Sequence, residues 1–454
     1  MRCAFLLLIA LTVLSTGGCT GFTQDGGFDT VADAARRHWA KDIQWPRSSQ
    51  ERAKADAQVA ALLGQPLSVE DAVQIALLNN RTLQGAFEEL GISEADLVQA
   101  GRLPNPRFDF RHAAAAGQYD IEETLSLNVL SLLTMPYARD IERQRFAQTQ
   151  NLAVLRVAQL AESTREAYYA AVAAHEGRDY LHQVRAAAET GATLAQRMVA
   201  AGNWSPLDQA REQLIYLEAV QGFAHAELAD ATARERLQSI MGLPGETTGE
   251  PQLQLAQVLP SLPTGLEDLP DVESALLQNR LDLQLMRMRM DELQRHLKLT
   301  RSTRFVNVLD VGATRVRQGT SDAPYERGYT ITLEVPIFDS GDARVRRSAA
   351  IYARAVDRFT QAAVEARSQI RLAYANYRTA FELAKQQRDE VVPQRKAIVQ
   401  ENLLRYNASQ ISVFELLSSA RDQAADVDGY IQRVRDFWIA KSQLDAALLG
   451  DAAP

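Results

Sequence analysis

Three methionines, Met286, Met288 and Met290, cluster in a way that invites soft-metal chemistry, because thioethers suit copper. On a helix Met286 and Met290 share a face while Met288 lies nearly opposite, so core packing accounts for them better. His175, His182, His225 and His296 fall at no spacing that pairs metal ligands. No Gly-rich phosphate loop and no nucleophile–base set occurs, which argues against an enzyme and implies no cofactor. Two acids stand out, Asp208 and Glu415, each shortly after a break between helical stretches. For Asp208 the plain account is a first-turn acid favoured by the helix dipole, and for Glu415 a solvated helix face. The alternative is a charged constriction, and that depends on what the helices build.

The chain of 454 residues is long enough for two or three ordinary domains. A net charge of -8 and a pI near 5.5 make nucleic acid an unsuitable partner. Both cysteines lie at the start, so there is no disulfide framework or multi-cysteine metal site. Arg2 precedes an apolar run, Ala4 to Leu14, that is too short to span a bilayer. Ser15-Thr16-Gly17-Gly18-Cys19 follows, and residues 1–18 read as a secretory signal. A cysteine after small residues resembles a bacterial lipoprotein signal, with Cys19 the lipidated first residue of the mature chain. Thr16 stands where that pattern usually has Leu, and ordinary cleavage near Gly18 is the alternative. Thr20, rather than Asp, after the cysteine favours the outer membrane over the inner.

Residues 20–66 are polar and irregular, which suggests a tether or surface strap. From Leu67 the pattern sharpens, with Ser68 a helix N-cap and Asp71 three residues on. A short helix ends near Asn79-Asn80, and a second runs to about Arg102, bracketed by Pro104 and Pro106. Phe108 and Phe110 alternate with charged residues, and Leu125, Leu127 and Val129 alternate with polar ones. That period of two predicts a strand hairpin over about 107–130 with one apolar face. A helix then starts near Ala138, after Met135-Pro136, and runs to about Ala200. The return helix begins after Ser205-Pro206 and ends near Met241. Residues 242–270 hold five of the fifteen prolines and read as a linker. Asp271 to Arg280 then echoes Asp71 to Arg81 and the plan repeats. Strands are expected at about 305–316 and 328–336, the second stopped by Pro336. Phe305 and Val306 blur the alternation of the first of these. A long helix over about 342–406 and a return helix ending at Leu449-Gly450 complete the chain.

Each long helix of roughly 63–65 residues would span roughly 95 Å. The two shorter helices of each repeat together match it in length. Four strands cannot close a membrane barrel, whose smallest members have about eight. Open sheet edges are not tolerated in lipid. If the strands sit in the membrane, several chains share one barrel, and three chains give an even, twelve-stranded one.

The motifs in order are Leu67-Ser68-Val69-Glu70-Asp71-Ala72 with Asn79-Asn80, Leu103-Pro104-Asn105-Pro106, Val335-Pro336-Ile337-Phe338-Asp339-Ser340-Gly341, Arg405-Tyr406, Phe414-Glu415-Leu416-Leu417 and Ala446-Ala447-Leu448-Leu449-Gly450. Over about residues 67–450 the chain resembles the TolC-type outer-membrane efflux factors. The resemblance implies a homotrimer, with an outer-membrane β-barrel continued by a periplasmic α-helical barrel. It implies a passive exit duct that docks onto a periplasmic adaptor and an inner-membrane pump. It assigns the helix breaks to adaptor docking, at Gly202, Asn203, Trp204 and Ser205 in the first and Asn407, Ala408, Ser409 and Gln410 in the second. It places Glu415, with Asp208 as a second candidate, at a gate. An exposed Trp204 either meets a partner or packs against a neighbouring helix. The family usually has Gly where Ser409 stands, so the left-handed turn is expected on Asn407 instead. At the first tip Met198 stands where Tyr is common.

The expected fold is therefore mainly α with a small membrane β part, in two internal repeats. The expected organisation is a signal at 1–18, a lipid-anchored strap at 19–66, a first repeat at 67–241 with its tip at about 201–206, a Pro-rich linker at 242–270, a second repeat at 271–450 with its tip at about 407–412, and a tail at 451–454. The expected role is the exit duct of a tripartite efflux system, lipid-anchored in and spanning the outer membrane. A type I protein-secretion duct and a lipid-anchored helical scaffold without a channel are the alternatives. Cargo stays open between drugs, metal ions and peptides.

Overall fold

The computed structural model describes residues 21–115, 118–244, 253–266, 280–320 and 322–450. The signal, Cys19, most of the 271–280 echo, the tail and parts of the Pro-rich segment lie outside the described residues. The described chain is mostly helical, and it forms two compact units. One unit holds Phe87–Leu152 and Leu283–Ala362, with the chain up to Val31; the other holds Ala32–Ala86, Ala153–Asp282 and the chain from Ala363. Among the described residues no helix is long and apolar enough to cross a membrane.

In chain order the elements are α1 (Phe28–Trp39), α2 (Ser49–Leu63), α3 (Val69–Asn79), α4 (Arg81–Ala100), β1 (Arg107–Ala115), β2 (Gln118–Asn128), α5 (Val129–Ala200), α6 (Pro206–Met241), α7 (Leu281–Ser302), β3 (Leu309–Gly319), β4 (Glu326–Leu333), α8 (Asp342–Gln386), a π-turn (Gln387–Val391), α9 (Val392–Asn407) and α10 (Val413–Leu449).

Several boundaries depart from the sequence reading. Residues 20–66 are not an irregular strap, since they carry α1 and α2, with Val31, Ala35 and Ala55 fully buried. A Ser48/Glu51 capping box starts α2. Helix α5 begins at Val129, not near Ala138, and takes Pro136 into its interior. Asn128 explains the early start, because its side-chain oxygen accepts the Ser131 N–H at 2.6 Å and caps the helix. At 72 residues α5 is about 108 Å long. Strand β3 starts at Leu309, so Phe305 and Val306 fall outside it and Leu309, Val311 and Ala313 alternate with Asp310, Gly312 and Thr314. Strand β4 ends at Leu333, three residues before Pro336. The long helix after β4 runs through Pro393, which the sequence reading passed over. The π-turn before it, with Val392 N–H bonded to the Gln387 carbonyl, widens the helix where the proline removes a donor.

In the first unit the four strands form one antiparallel sheet in the order β1-β2-β3-β4. Its base is fixed by ion pairs. Buried Glu292 of α7 accepts from Arg145 of α5 at 3.0 Å and from Arg289, and Arg295 reaches Asp140. Gly341, at φ +74, turns the chain into α8 so tightly that a Cβ there would lie 2.4 Å from the Arg304 carbonyl. Only glycine fits.

The second unit is a helical core. Tyr377, Phe381 and Phe437 pack together, and Trp438 stacks on Tyr169 while donating to the Pro260 carbonyl at 3.0 Å. The Pro-rich segment is thus part of this core. Leu253, Leu255, Leu259 and Leu262 are buried, and Leu255 bridges to Leu67. The Asn79-Asn80 pair has a clear job. Asn79 donates to the Gly242 carbonyl at 2.7 Å and Asn80 to the Ile240 carbonyl at 2.8 Å, satisfying the open end of α6. Asn80 also caps α4 by accepting the Leu83 N–H at 2.9 Å. Arg280, 1% exposed, bonds Asp282 at 2.6 Å and the Ala447 carbonyl at 2.9 Å.

Candidate functional site

The register of the sheet sorts its side chains into two chemically different faces. Arg107, Asp109, Glu122, Thr124, Asp310, Thr330 and Thr332 lie on one, and they line a hollow of about 500 Å³. Across it the Thr124 hydroxyl donates to the Thr314 hydroxyl at 2.9 Å. The hollow means that the sheet curves toward its polar face. Phe108, Leu125, Leu127, Val311, Tyr329, Ile331 and Leu333 lie on the other face, and all are exposed. Just past β4, Val335, Ile337 and Phe338 extend that exposed apolar surface, with Phe338 fully exposed. A polar hollow on one face and an exposed apolar surface on the other is the same alternation that membrane-barrel strands carry. The outer edges of β1 and β4 have no partner strand among the described residues.

The second unit presents the two helix breaks, which are equal in length at residues 201–205 and 408–412. Both open with the same hydrogen-bond pattern. Gly202 N–H bonds the Val199 carbonyl at 3.0 Å and Asn203 N–H the Met198 carbonyl at 2.9 Å. In the second loop Ser409 N–H bonds Tyr406 at 2.9 Å and Gln410 N–H bonds Arg405 at 2.8 Å. This double bond requires a left-handed residue at the first position past the cap. Gly202 supplies it at φ +75, and Ser409 supplies it at φ +58. The expectation that the turn would fall on Asn407 is therefore wrong, because Asn407 is the last residue of α9 and the bond pattern fixes the turn on Ser409.

Each return helix is capped by a serine. Ser205 accepts the Asp208 N–H at 3.2 Å and donates to the Asp208 carboxylate at 2.7 Å, so Asp208 is engaged in a capping box. Ser412 accepts the Glu415 N–H at 3.3 Å, but the Glu415 carboxylate is exposed and takes no side-chain partner among the described residues. Trp204 stacks on Phe414 with ring centroids 4.6 Å apart, so the two tips hold each other. Ala408 and Gln410 lie exposed between the capped ends. The Trp204–Phe414 partnership was not legible in the sequence. Phe414 belongs to a quoted motif, but nothing in the spacing puts it opposite a residue 210 positions away.

This geometry can be set against known proteins. No family model matches the chain. It is 26% identical over 292 residues to the cobalt-zinc-cadmium resistance protein CzcC of Cupriavidus metallidurans, covering 60% of this chain and 64% of that one. The chain thus spans just under two thirds of that relative's length. The outer-membrane channel OprN aligns over 90% of this chain and 94% of its own, with a TM-score of 0.70 at 16% identity. The CmeC outer-membrane channel of Campylobacter jejuni aligns over 92% and 91%, with a TM-score of 0.69 at 13% identity. The chain has the fold of the TolC-type outer-membrane channels. Within this fold the second tip carries a serine, Ser409, in the left-handed position, and Trp204 of the first tip stacks on Phe414.

The remaining candidates of the sequence have structural settings in this TolC-type fold. Met286, Met288 and Met290 are half-buried on α7, and the Met288 sulfur accepts from Asn151 at 3.7 Å. Among the described residues no group of three His, Cys, Asp or Glu side chains is placed to hold a metal ion. His175 sits in a buried ion-pair cluster, 3.0 Å from Arg234, and burial pushes its pKa down. Glu162, nearly buried, pairs with Arg165 at 2.5 Å while its second oxygen has no partner. Burial raises its carboxyl to about 7 against the pull of Arg165.

Proposed function

We propose that three copies of this chain form one outer-membrane channel, the exit duct of a tripartite efflux system. The curved four-stranded sheet carries this reading, with its polar hollow, apolar outer face and two unpaired edges. Unpaired edges in hydrocarbon cost several kcal/mol per group, so β4 of one chain must meet β1 of the next. Consecutive antiparallel strands make that junction antiparallel as well, and three copies close a twelve-stranded barrel. The helices would continue it as a periplasmic tube through which cargo diffuses passively. Energy comes from an inner-membrane pump engaged through a periplasmic adaptor that docks on the tips at Gly202–Ser205 and Asn407–Gln410. Glu415 is the better gate candidate, since Asp208 serves its own helix cap. Three unpartnered carboxylates around one axis repel anions and resist close approach of the tips. Lipidation at Cys19 would add an anchor. The relative named for cobalt, zinc and cadmium resistance makes divalent cations the first cargo to test.

The test uses the purified mature protein in planar bilayers, alongside its mass in detergent. A trimer that conducts ions is the expected result. Leu333→Arg places a charge on the lipid-facing row and should abolish both trimer and conductance. A conducting wild-type monomer, or a Leu333→Arg variant that keeps the trimer and its conductance, would overturn the barrel.

A further inference from the structure

The outer face of the sheet is not apolar along its whole length. Moving from the helix end toward the hairpins, Leu309 pairs with Leu333, Val311 with Ile331, and Ala313 with Tyr329. The next row on the same face is charged, with Glu123 opposite Arg315 and Arg315 opposite Arg327. One row further, Ile121 is opposite Arg317. Like charges directly opposite on one sheet face are destabilising. Glu123 pairs with Arg315, which leaves an excess of positive charge on the row. Arg327 is exposed and has no ion pair among the described residues. Tyr325 lies between Arg315 and Arg317, 5.0 and 4.9 Å from their guanidinium carbons, and holds both in place. The other titratable groups at this end are His112 and Tyr119 on the same face, Arg111, Asp120, Glu122 and Glu326 on the opposite face, and Asp322 in the β3–β4 turn.

We propose that this row binds the phosphate groups of an anionic lipid in the leaflet at the hairpin end. The proposal rests on the barrel reading above, which makes this face the one that meets lipid. Height supports it. Arg327 lies six residues before Leu333, about 20 Å along a strand and roughly 15 Å along the normal at a tilt near 40°. Exposed Val335, Ile337 and Phe338 extend the apolar surface below Leu333. Together they bring the band near the ~25 Å expected of such barrels, and the arginines stand at its upper boundary. Exposed Phe108 and Tyr329 lie in the row beneath them and exposed Phe110 in the charged row itself, where interfacial aromatics belong. Guanidinium forks match phosphate bidentately, and a phosphate shared by Arg315 and Arg327 would remove the repulsion between them.

The experiment incubates the purified trimer with diphosphoryl lipid A or with the same lipid stripped of both phosphates, and counts retained lipid by native mass spectrometry. The wild type should retain the phosphorylated form about tenfold better. Arg317→Gln with Arg327→Gln should lose that preference while remaining a conducting trimer. Arg317→Lys with Arg327→Lys should keep part of it. A conducting wild-type trimer that retains both lipids equally overturns this proposal alone, as does a double Gln variant with the preference intact. A wild type that never trimerises overturns the barrel, and this site with it.

Discussion

Ser409 holds a backbone conformation that costs an ordinary residue about 1 kcal/mol or more, and glycine almost nothing. Ser409→Gly should therefore raise stability by about 1 kcal/mol, read as a shift in the urea midpoint with unchanged slope. A neutral or destabilising result would mean that the serine hydroxyl compensates the strain. Glu162 makes a second prediction. The folded chain keeps its proton up to about pH 7, whereas the unfolded chain releases it near 4.5. The folded state binds more protons in that window, so this group makes stability fall as pH rises from about 4.5 to 7 and contributes no further slope above it. Its share is at most roughly 3 kcal/mol. Glu162→Gln should flatten the dependence of Tm on pH between 5 and 7, and an unaltered slope would remove Glu162 as its source.

At the scale of elements, α5 and α6 are fastened by charge as well as by packing. Asp230 of α6 is buried and bonds Arg178 of α5, Arg234 at 3.0 Å on its own helix, and lies 3.8 Å from His175. Removing one partner of such a cluster leaves the others unpaired in a poor solvent. Asp230→Ala should cost about 3 kcal/mol in chemical unfolding. A loss below about 1 kcal/mol would show that water enters the site. Much of the element order was legible because period two and period 3.6 leave distinct marks. The misreadings have one cause: local rules were read without their neighbours. Pro136 suggests a helix start just after it, yet Asn128 caps the helix eight residues before the proline. Residues 20–66 look polar because only one side of α1 and α2 is buried.

For the whole molecule, the tips and the sheet make separate claims on function. If Glu415 lines the gate, Glu415→Gln removes three negative charges from the narrowest point of the duct. Cation selectivity, measured as the reversal potential in a salt gradient, should fall toward that of a neutral pore. An unchanged reversal potential would place Glu415 on the outside of the tube, where the solvated-face account already has it. This result does not depend on the lipid row, which lies on the sheet.

By itself the sequence determined the element types from Leu67 on outside the Pro-rich segment, the apolar face of the first, second and fourth strands, both helix breaks and Ser205 as the start of the first return helix. All of these are set by residues within a turn or two of one another. Only the tertiary structure decided which residues far apart in the chain meet. It stacked Trp204 on Phe414, drew the Pro-rich segment into the core through Leu255 and Trp438, and set Arg315 opposite Arg327. Pairing register and helix rotation are collective outcomes of packing, and a shift of one residue in either would exchange every one of those partners.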